Sequence, residues 1–481
     1  MDERLGYFLE NTVVTQAAVH SRVSHPVTGV VYPHRMAFVL LRKYADDFFS
    51  SGSEPRFIAL AGLRGVGKTT LMWHTAEHLL NSHVSKAYFF NVNTLRTLGI
   101  DLHAALEEFQ RQVLKKRFNE LTEPIALLFD EVHDDPNWSK TLKILYDEAR
   151  SAFILCTGSS ALLLRQTADL ARRMRVERIY PYSFPEWVLA KSTMSEGPGP
   201  VFPEKGLADS LKTALFFSET PAEVFQKLES LTQEIVRYLS GATRSLGLAE
   251  LLQDYISFQN IPSFLFFQEK TTIADSILDL LKRVVHEDVP KLNPYFTDFS
   301  KIERLLLRLA GSDEVNPEKL SGIIGMKQSE ILEVMDILAL AELLTVLMPY
   351  GGLDTRIVKN KKAFFMSPSL RRALLSSLYG QDLPEQFRSK LMEDAVVMYL
   401  RRLLPDSVVS FVTGNTSNPD FVIETRDKPV LLELGTGKTS ARQIKTAGLE
   451  YRYGLLVSSG LDAPSLSGDC VSLPISWFLL L

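Results

Sequence analysis

The densest chemistry in the chain lies in Gly62-Leu-Arg-Gly65-Val66-Gly67-Lys68-Thr69-Thr70. The glycines let a backbone curl so that its N–H groups, those of Val66 and Thr70 among them, point inward at phosphate oxygens. Lys68 would bridge the β- and γ-phosphates, and the Thr69 hydroxyl would ligate a divalent ion. An apolar run, Phe57–Ala61, leads in, and a helical stretch from Thr69 to Leu80 leads out. The loop therefore opens a helix whose N-terminus adds favourable dipole charge for an anion. Gly62, Gly65, Val66, Gly67, Lys68, Thr69 and Thr70 together predict a nucleotide site, with ATP or ADP and Mg²⁺ as ligands.

A second constellation follows downstream. Ile125-Ala-Leu-Leu-Phe-Asp130-Glu131 is an apolar run ending in two carboxylates, the form of a buried strand delivering acids to its C-terminal edge, where ligands bind in open parallel sheets. Asp130 would share the Mg²⁺ with Thr69, and Glu131 would orient or deprotonate the attacking water. His133, Asp134 and Asp135 read as a solvated loop. The next strand ends in Thr157-Gly-Ser159-Ser160, where Ser159 either touches the terminal phosphate or caps a helix. Arg172, Arg173, Arg175 and Arg178 come next. Arg173 is the arginine expected to reach a neighbouring subunit's γ-phosphate, the alternative being a solvated basic helix face.

The elements that must position these groups are legible. Met36–Phe49 has helical spacing. From Arg56 to Trp187, short apolar runs alternate with helical stretches, the pattern of a parallel sheet covered on both faces. A Pro- and Gly-rich segment at 196–206 marks a boundary, and 207–295 is helical without strand signals. Residues 298–380 read as a helix, a helix-turn-helix and a strand–loop–strand hairpin, which is a winged-helix order. A helix at 386–404 precedes strands at 408–412, 421–425, 429–435 and 453–459, with a helix around 441–448.

Composition narrows the classes. The 481 residues carry 53 Lys+Arg against 57 Asp+Glu, a net charge of −4, so binding through global positive charge is disfavoured. Two cysteines exclude a disulfide framework or a Cys-rich zinc module. The nine histidines show no metal-ligand spacing. His74 and His78 stand four apart, without the acid of an H-E-x-x-H pair. No apolar run reaches the ~20 residues of a membrane helix, and the acidic N-terminus does not resemble a leader. A soluble cytoplasmic protein without membrane contact is expected.

The stretches 62–70, 127–133 (LLFDEVH), 157–160 and 171–187 (ARRMRVERIYPYSFPEW) resemble the prokaryotic predicted AAA+ ATPases that join a P-loop domain to a winged helix and a C-terminal PD-(D/E)XK-type domain. Arg172-Arg173 stands where that family usually has Gly-Arg, and Gln259-Asn-Ile-Pro262 where it often has Gly-Gly-Phe-Pro. The resemblance implies an α/β fold: a P-loop parallel-sheet AAA+ core with its N-terminal extension (1–190), a helical lid (191–297), a winged helix (298–385) and a small nuclease-like domain (386–481). It also implies kinship with ATP-driven switches, leaving open a homo-oligomer, a DNA partner or a protein partner.

In the winged segment, Glu330, Glu333 and Asp336 oppose phosphate contact by the second helix, whereas Arg356, Lys359, Lys361 and Lys362 cluster on the hairpin and could hold a DNA backbone. A winged helix that docks protein is the other reading. Toward the C-terminus, Glu393, Asp420 and Glu433 fall in the order of a PD-(D/E)XK core, in which the Asp and Glu bind a second metal. Gly435 occupies the position of that core's lysine, leaving Lys438 or Lys445 as substitutes. A metal-dependent nuclease and a degenerate domain used for binding both remain open.

Overall fold

The computed structural model describes residues 3–158, 170, 172–194, 201–243, 247–414, 418–438 and 440–481, with Val358 as backbone only. The chain forms two compact units that divide after Tyr180, ahead of the expected end of the core at 190. The divisions expected at 297/298 and 385/386 lie inside the second unit.

The first unit is built on β1 (Phe57–Ala61), β2 (Lys86–Asn91), β3 (Ile125–Asp130), β4 (Ala152–Thr157) and β5 (Arg175–Arg178). Their order is β2-β3-β4-β1-β5, and every neighbouring pair is parallel. Every residue of β1, β3 and β4 is buried, which explains their continuous apolar sequences: both faces are covered, so neither can alternate. Phe90 stacks on Phe129 at 5.1 Å, and both are fully buried; each such ring contributes about 1.5–3 kcal/mol by leaving water. The register pairs Phe129 with Cys156 and Leu60 with Thr157. Asp130, Thr157 and the loop after Ala61 are thereby level at one sheet edge. The helix Met36–Ser51 is stopped by Gly52, whose left-handed backbone donates to the Asp47 and Phe48 carbonyls. It packs Phe38, Leu41 and Ala45 inward, against the helix Lys68–Ser82.

Among the described residues, the second unit forms helices and no strand through residue 292, as the periodicity of 207–295 predicts. Then come helix Phe299–Gly311, β6 (Glu314–Val315), helices Pro317–Ile324 and Gln328–Leu340, β7 (Leu344–Pro349), helix Leu353–Val358, β8 (Lys361–Phe365), and helices Pro368–Tyr379 and Arg388–Leu403. β9 (Val408–Phe411), β10 (Phe421–Glu424), β11 (Val430–Gly435), β12 (Tyr453–Ser458), β13 (Ser465–Ser467) and β14 (Cys470–Pro474) complete it. Two features of the hairpin differ from expectation. A helix occupies its connection, held by Arg356 Nε donating to the Gly351 carbonyl at 2.9 Å, so the second strand starts at Lys361. The two-residue β6 then pairs with that strand; it is too short to leave a periodic signal.

The sheet is also larger than two separate modules would make. It has nine strands in the order β13-β14-β12-β11-β10-β9-β7-β8-β6. β7 and β9 pair in parallel through Met348 with Ser410 and Pro349 with Phe411. Behind this sheet, Arg371 is fully buried. Its guanidinium donates to both oxygens of Asp394 at 2.6 and 2.8 Å, and to the carbonyls of Leu309 and Ala310. It also sits 2.8 Å from Asp313, which Lys390 reaches at 2.6 Å. Residues 475–481 are buried.

Candidate functional site

The loop 62–67 is shaped by close approach. A Cβ on Gly62 would overlap the Ile179 carbonyl oxygen, whose residue donates its N–H to the Ala61 carbonyl at 2.7 Å. Gly65 and Gly67 have φ of 82° and 84°, left-handed values that side chains disfavour. Arg35 braces the loop from behind, donating to the Val66 carbonyl at 2.7 Å and to the Tyr180 carbonyl at 2.9 Å. No pattern around Arg35 signals this role in the sequence, because its partners are backbone atoms distant in the chain. Lys68 opens the helix, is buried, and donates Nζ to the Gly62 and Leu63 carbonyls at 2.9 and 3.2 Å. Thr69 and Thr70 occupy the same first turn.

Thr69 Oγ1 lies 3.1 and 3.2 Å from the two oxygens of Asp130, although 61 residues separate them. A hydroxyl beside a carboxylate is an all-oxygen donor set of the kind Mg²⁺ takes, so these residues fit the ion. Thr157, at the end of β4, joins the same group. Its hydroxyl donates to Asp130 Oδ1 and accepts the Glu131 N–H at 3.1 Å. Glu131 has a left-handed backbone, φ 56°, which turns its side chain out of the strand direction. Burial raises its pKa above the ordinary value; Lys68 opposes this, and the neighbouring Asp130 adds to it. Its Oε2 is 3.2 Å from His133 Nδ1.

The segment after Glu131 corrects the solvated-loop reading. His133, Asp134 and Asp135 are all buried. Asp134 accepts from Asn93 at 2.7 Å, and Asp135 accepts the Leu102 N–H at 2.6 Å. The polar letters belong to an internal network that holds the turn after β3. Arg173 forks onto Asp147 at 2.8 and 3.2 Å, so this chain's own helix Trp138–Glu148 engages it. Ser159 lies outside the described residues.

In the second unit the four basic residues of the hairpin do not share one outward surface. Arg356 donates to both oxygens of Glu424 at 2.8 and 2.9 Å. Lys362 holds its ammonium 5.1 Å over the Phe411 ring, and its charge acts on Asp313, Glu393 and Asp420. Lys359 is exposed and Lys361 half-buried. Charge counting along the chain could not separate the inward cations from the outward ones.

Asp420 accepts the Leu434 N–H at 2.7 Å. Glu433 is buried, with Oε1 bonded to Lys438 Nζ at 3.0 Å and Oε2 without a hydrogen-bond partner among the described residues. Burial raises the pKa of both carboxyls, and the charge of Asp420 lifts Glu433 further. Burial, Asp313 and Asp420 push Glu393 up to about 8. Gly435 has a specific part in this. A Cβ there would overlap that of Lys438 and stand 2.7 and 2.9 Å from its Cγ and Cδ. The lysine stem lies across the glycine and brings the ammonium back to Glu433.

Residues 54–188 match a protein family described as AAA domain, and residues 250–379 match a domain of unknown function, DUF8612. The chain is 27% identical over 459 residues to the uncharacterized protein MJ1637 of Methanocaldococcus jannaschii, covering 93% of this chain and 89% of that protein. Among solved structures it is similar to Aeropyrum pernix ORC1 in complex with DNA, at 13% identity and TM-score 0.32, over 75% of this chain and 95% of that one. It is also similar to the Thermotoga maritima RuvB branch migration motor, at 14% identity and TM-score 0.27, over 65% and 89%. Scores this low add nothing to the assignment. The AAA match spans β1 to β5 with the phosphate loop and the Asp130 edge, and the first unit is accordingly an α/β module of P-loop type.

Proposed function

We propose that this chain binds Mg-ATP on the loop 62–70 and hydrolyses it, acting as an AAA+ type switch or motor. One observation carries the reading: Thr69, Asp130, Glu131 and Thr157, drawn from the ends of three elements, form one hydrogen-bonded group beside the buried Lys68. Mg²⁺, when bound by Thr69 and Asp130, supplies charge neutralisation to the phosphates. Lys68 exchanges its loop carbonyls for phosphate oxygens. Thr157 fixes Asp130 and the Glu131 backbone, and Glu131 takes the proton of the attacking water. Lys68→Ala should abolish ATP binding, and Glu131→Gln should leave binding while stopping phosphate release. Unchanged hydrolysis in both variants would overturn the reading.

A second reading concerns the C-terminal strands, and the Gly435–Lys438 packing favours it. A lysine that folds back over a glycine can put its ammonium beside Glu433, where the PD-(D/E)XK pattern needs one. Asp420 and Glu433 would then hold a metal for phosphodiester hydrolysis. With supercoiled plasmid and Mg²⁺ or Mn²⁺, the full chain should nick DNA, and Asp420→Ala should not. No nicking by the wild type leaves the domain a binding platform and discards the nuclease reading.

A further inference from the structure

Two histidines and an aspartate of the first unit converge where no spacing in the chain suggests it. His78 lies on the helix Lys68–Ser82, and His83 caps that helix at its C-terminal end. Asp46 lies on the helix Met36–Ser51. The Nε2 atoms of His78 and His83 are each 2.7 Å from the same oxygen, Asp46 Oδ1. The three ligand atoms all lie within 4.8 Å of one another.

The convergence depends on how the helix ends. On a continuing helix, residues five apart point about 140° away from each other. At His83 the backbone leaves helical values, with φ −131° and ψ −36°, and the ring swings back beside His78, centroid to centroid 5.3 Å. Aromatic neighbours hold both rings. His83 stacks on Phe49 at 5.0 Å, and His78 stands edge-on to Phe38 at 6.2 Å. The imidazoles are 18% and 17% exposed, whereas Asp46 is 45% exposed.

Two imidazole nitrogens aimed at one carboxylate oxygen admit two chemistries. Each ring can donate an N–H to Asp46, or the two lone pairs and the carboxylate can enclose a cation in place of those protons. Imidazole with carboxylate suits zinc and its neighbours in the first transition row, not the oxygen-seeking Mg²⁺ or Ca²⁺. The cluster opens to solvent on the side of the half-exposed Asp46. Three protein ligands with one open side match a site whose fourth position is a water. We propose that Asp46, His78 and His83 bind one divalent transition metal of the zinc class. The metal staples the helix before the sheet to the far end of the helix that starts at the phosphate loop.

The test uses the full chain, without nucleotide, and zinc alone. Competition against a chromophoric chelator should show one equivalent more zinc on the wild type than on His83→Ala or Asp46→Asn, and His103→Ala, outside the cluster, should match the wild type. Cobalt(II) should give the wild type visible d–d bands that both site variants lack. Asp46→Asn keeps a hydrogen-bond acceptor, so its circular dichroism should match the wild type, separating loss of metal from loss of fold. Equal zinc uptake by the wild type and a folded Asp46→Asn, or cobalt bands unchanged in it, would overturn the proposal. Neither outcome bears on ATP hydrolysis.

Discussion

Glu131 and Thr157 show what single residues contribute at the edge of the parallel sheet. Glu131 stands outside the strand it follows because its backbone turns left-handed, and burial with a nearby aspartate lifts its pKa from the ordinary 4.5. A base must be ionised to accept a proton, so turnover should fall as pH drops through this raised value. The single-turnover rate of ATP hydrolysis should show an acid limb above the usual glutamate range. A limb at 4.5 or below would remove Glu131 from that role. The phosphate loop, Asp130 and Glu131 are readable in the sequence because each follows an apolar strand at a fixed offset. Thr157 reads there only as a polar strand end, and its hydrogen bonds to Asp130 and to the Glu131 backbone emerge once β3 and β4 are set in register. Asp46, His78 and His83 are unreadable because their contact joins two helices through a cap.

At the scale of elements, the second unit turns on Arg371. It ties the C-terminal carbonyls of one helix to carboxylates on the helix Arg388–Leu403 and on the strand-leading Asp313. Each nitrogen of its guanidinium has a partner in low-dielectric surroundings, so removing it leaves carboxylates and carbonyls uncompensated. Arg371→Met should destabilise the second unit by about 3–5 kcal/mol, the range for breaking a buried pair. Urea unfolding followed by circular dichroism measures it, and Asp394→Asn in the same chain should recover part of the loss. ATP binding by the first unit should persist in the variant under native conditions. Most of the elements are legible in the periodicity. Among the exceptions, β6 is two residues long, the helix 353–358 sits in a glycine-led loop, β13 is exposed and β14 buried throughout so that neither alternates, and the helices Glu3–Glu10 and Gln16–Val23 and strand β5 are too short for a clear period.

For the molecule as a whole, the net charge of −4 gains meaning from where the cations go. Arg356 and Lys362 face carboxylates of their own unit, so a nucleic-acid partner would meet a smaller basic surface on the hairpin than the sequence suggests. Among the described residues no helix is long and apolar enough to cross a membrane. The boundary between the units falls earlier than the apolar pattern indicates. The helix Phe184–Met194 continues the pattern of the core, yet Phe184 bonds through its N–H to Tyr399 of the second unit. No local pattern marks that loyalty; only the long-range partner does.

The β7–β9 pair has a further consequence. Modules joined by a flexible linker can be cut out, exchanged or duplicated as whole pieces. Two modules that share a sheet cannot, because separating them bares a row of unpaired backbone groups on each half, and bare edges pair with whatever strand comes next. A fragment starting at residue 386 would carry such an edge on β9. Cutting the chain between the hairpin and the C-terminal strands therefore costs both parts their shared edge.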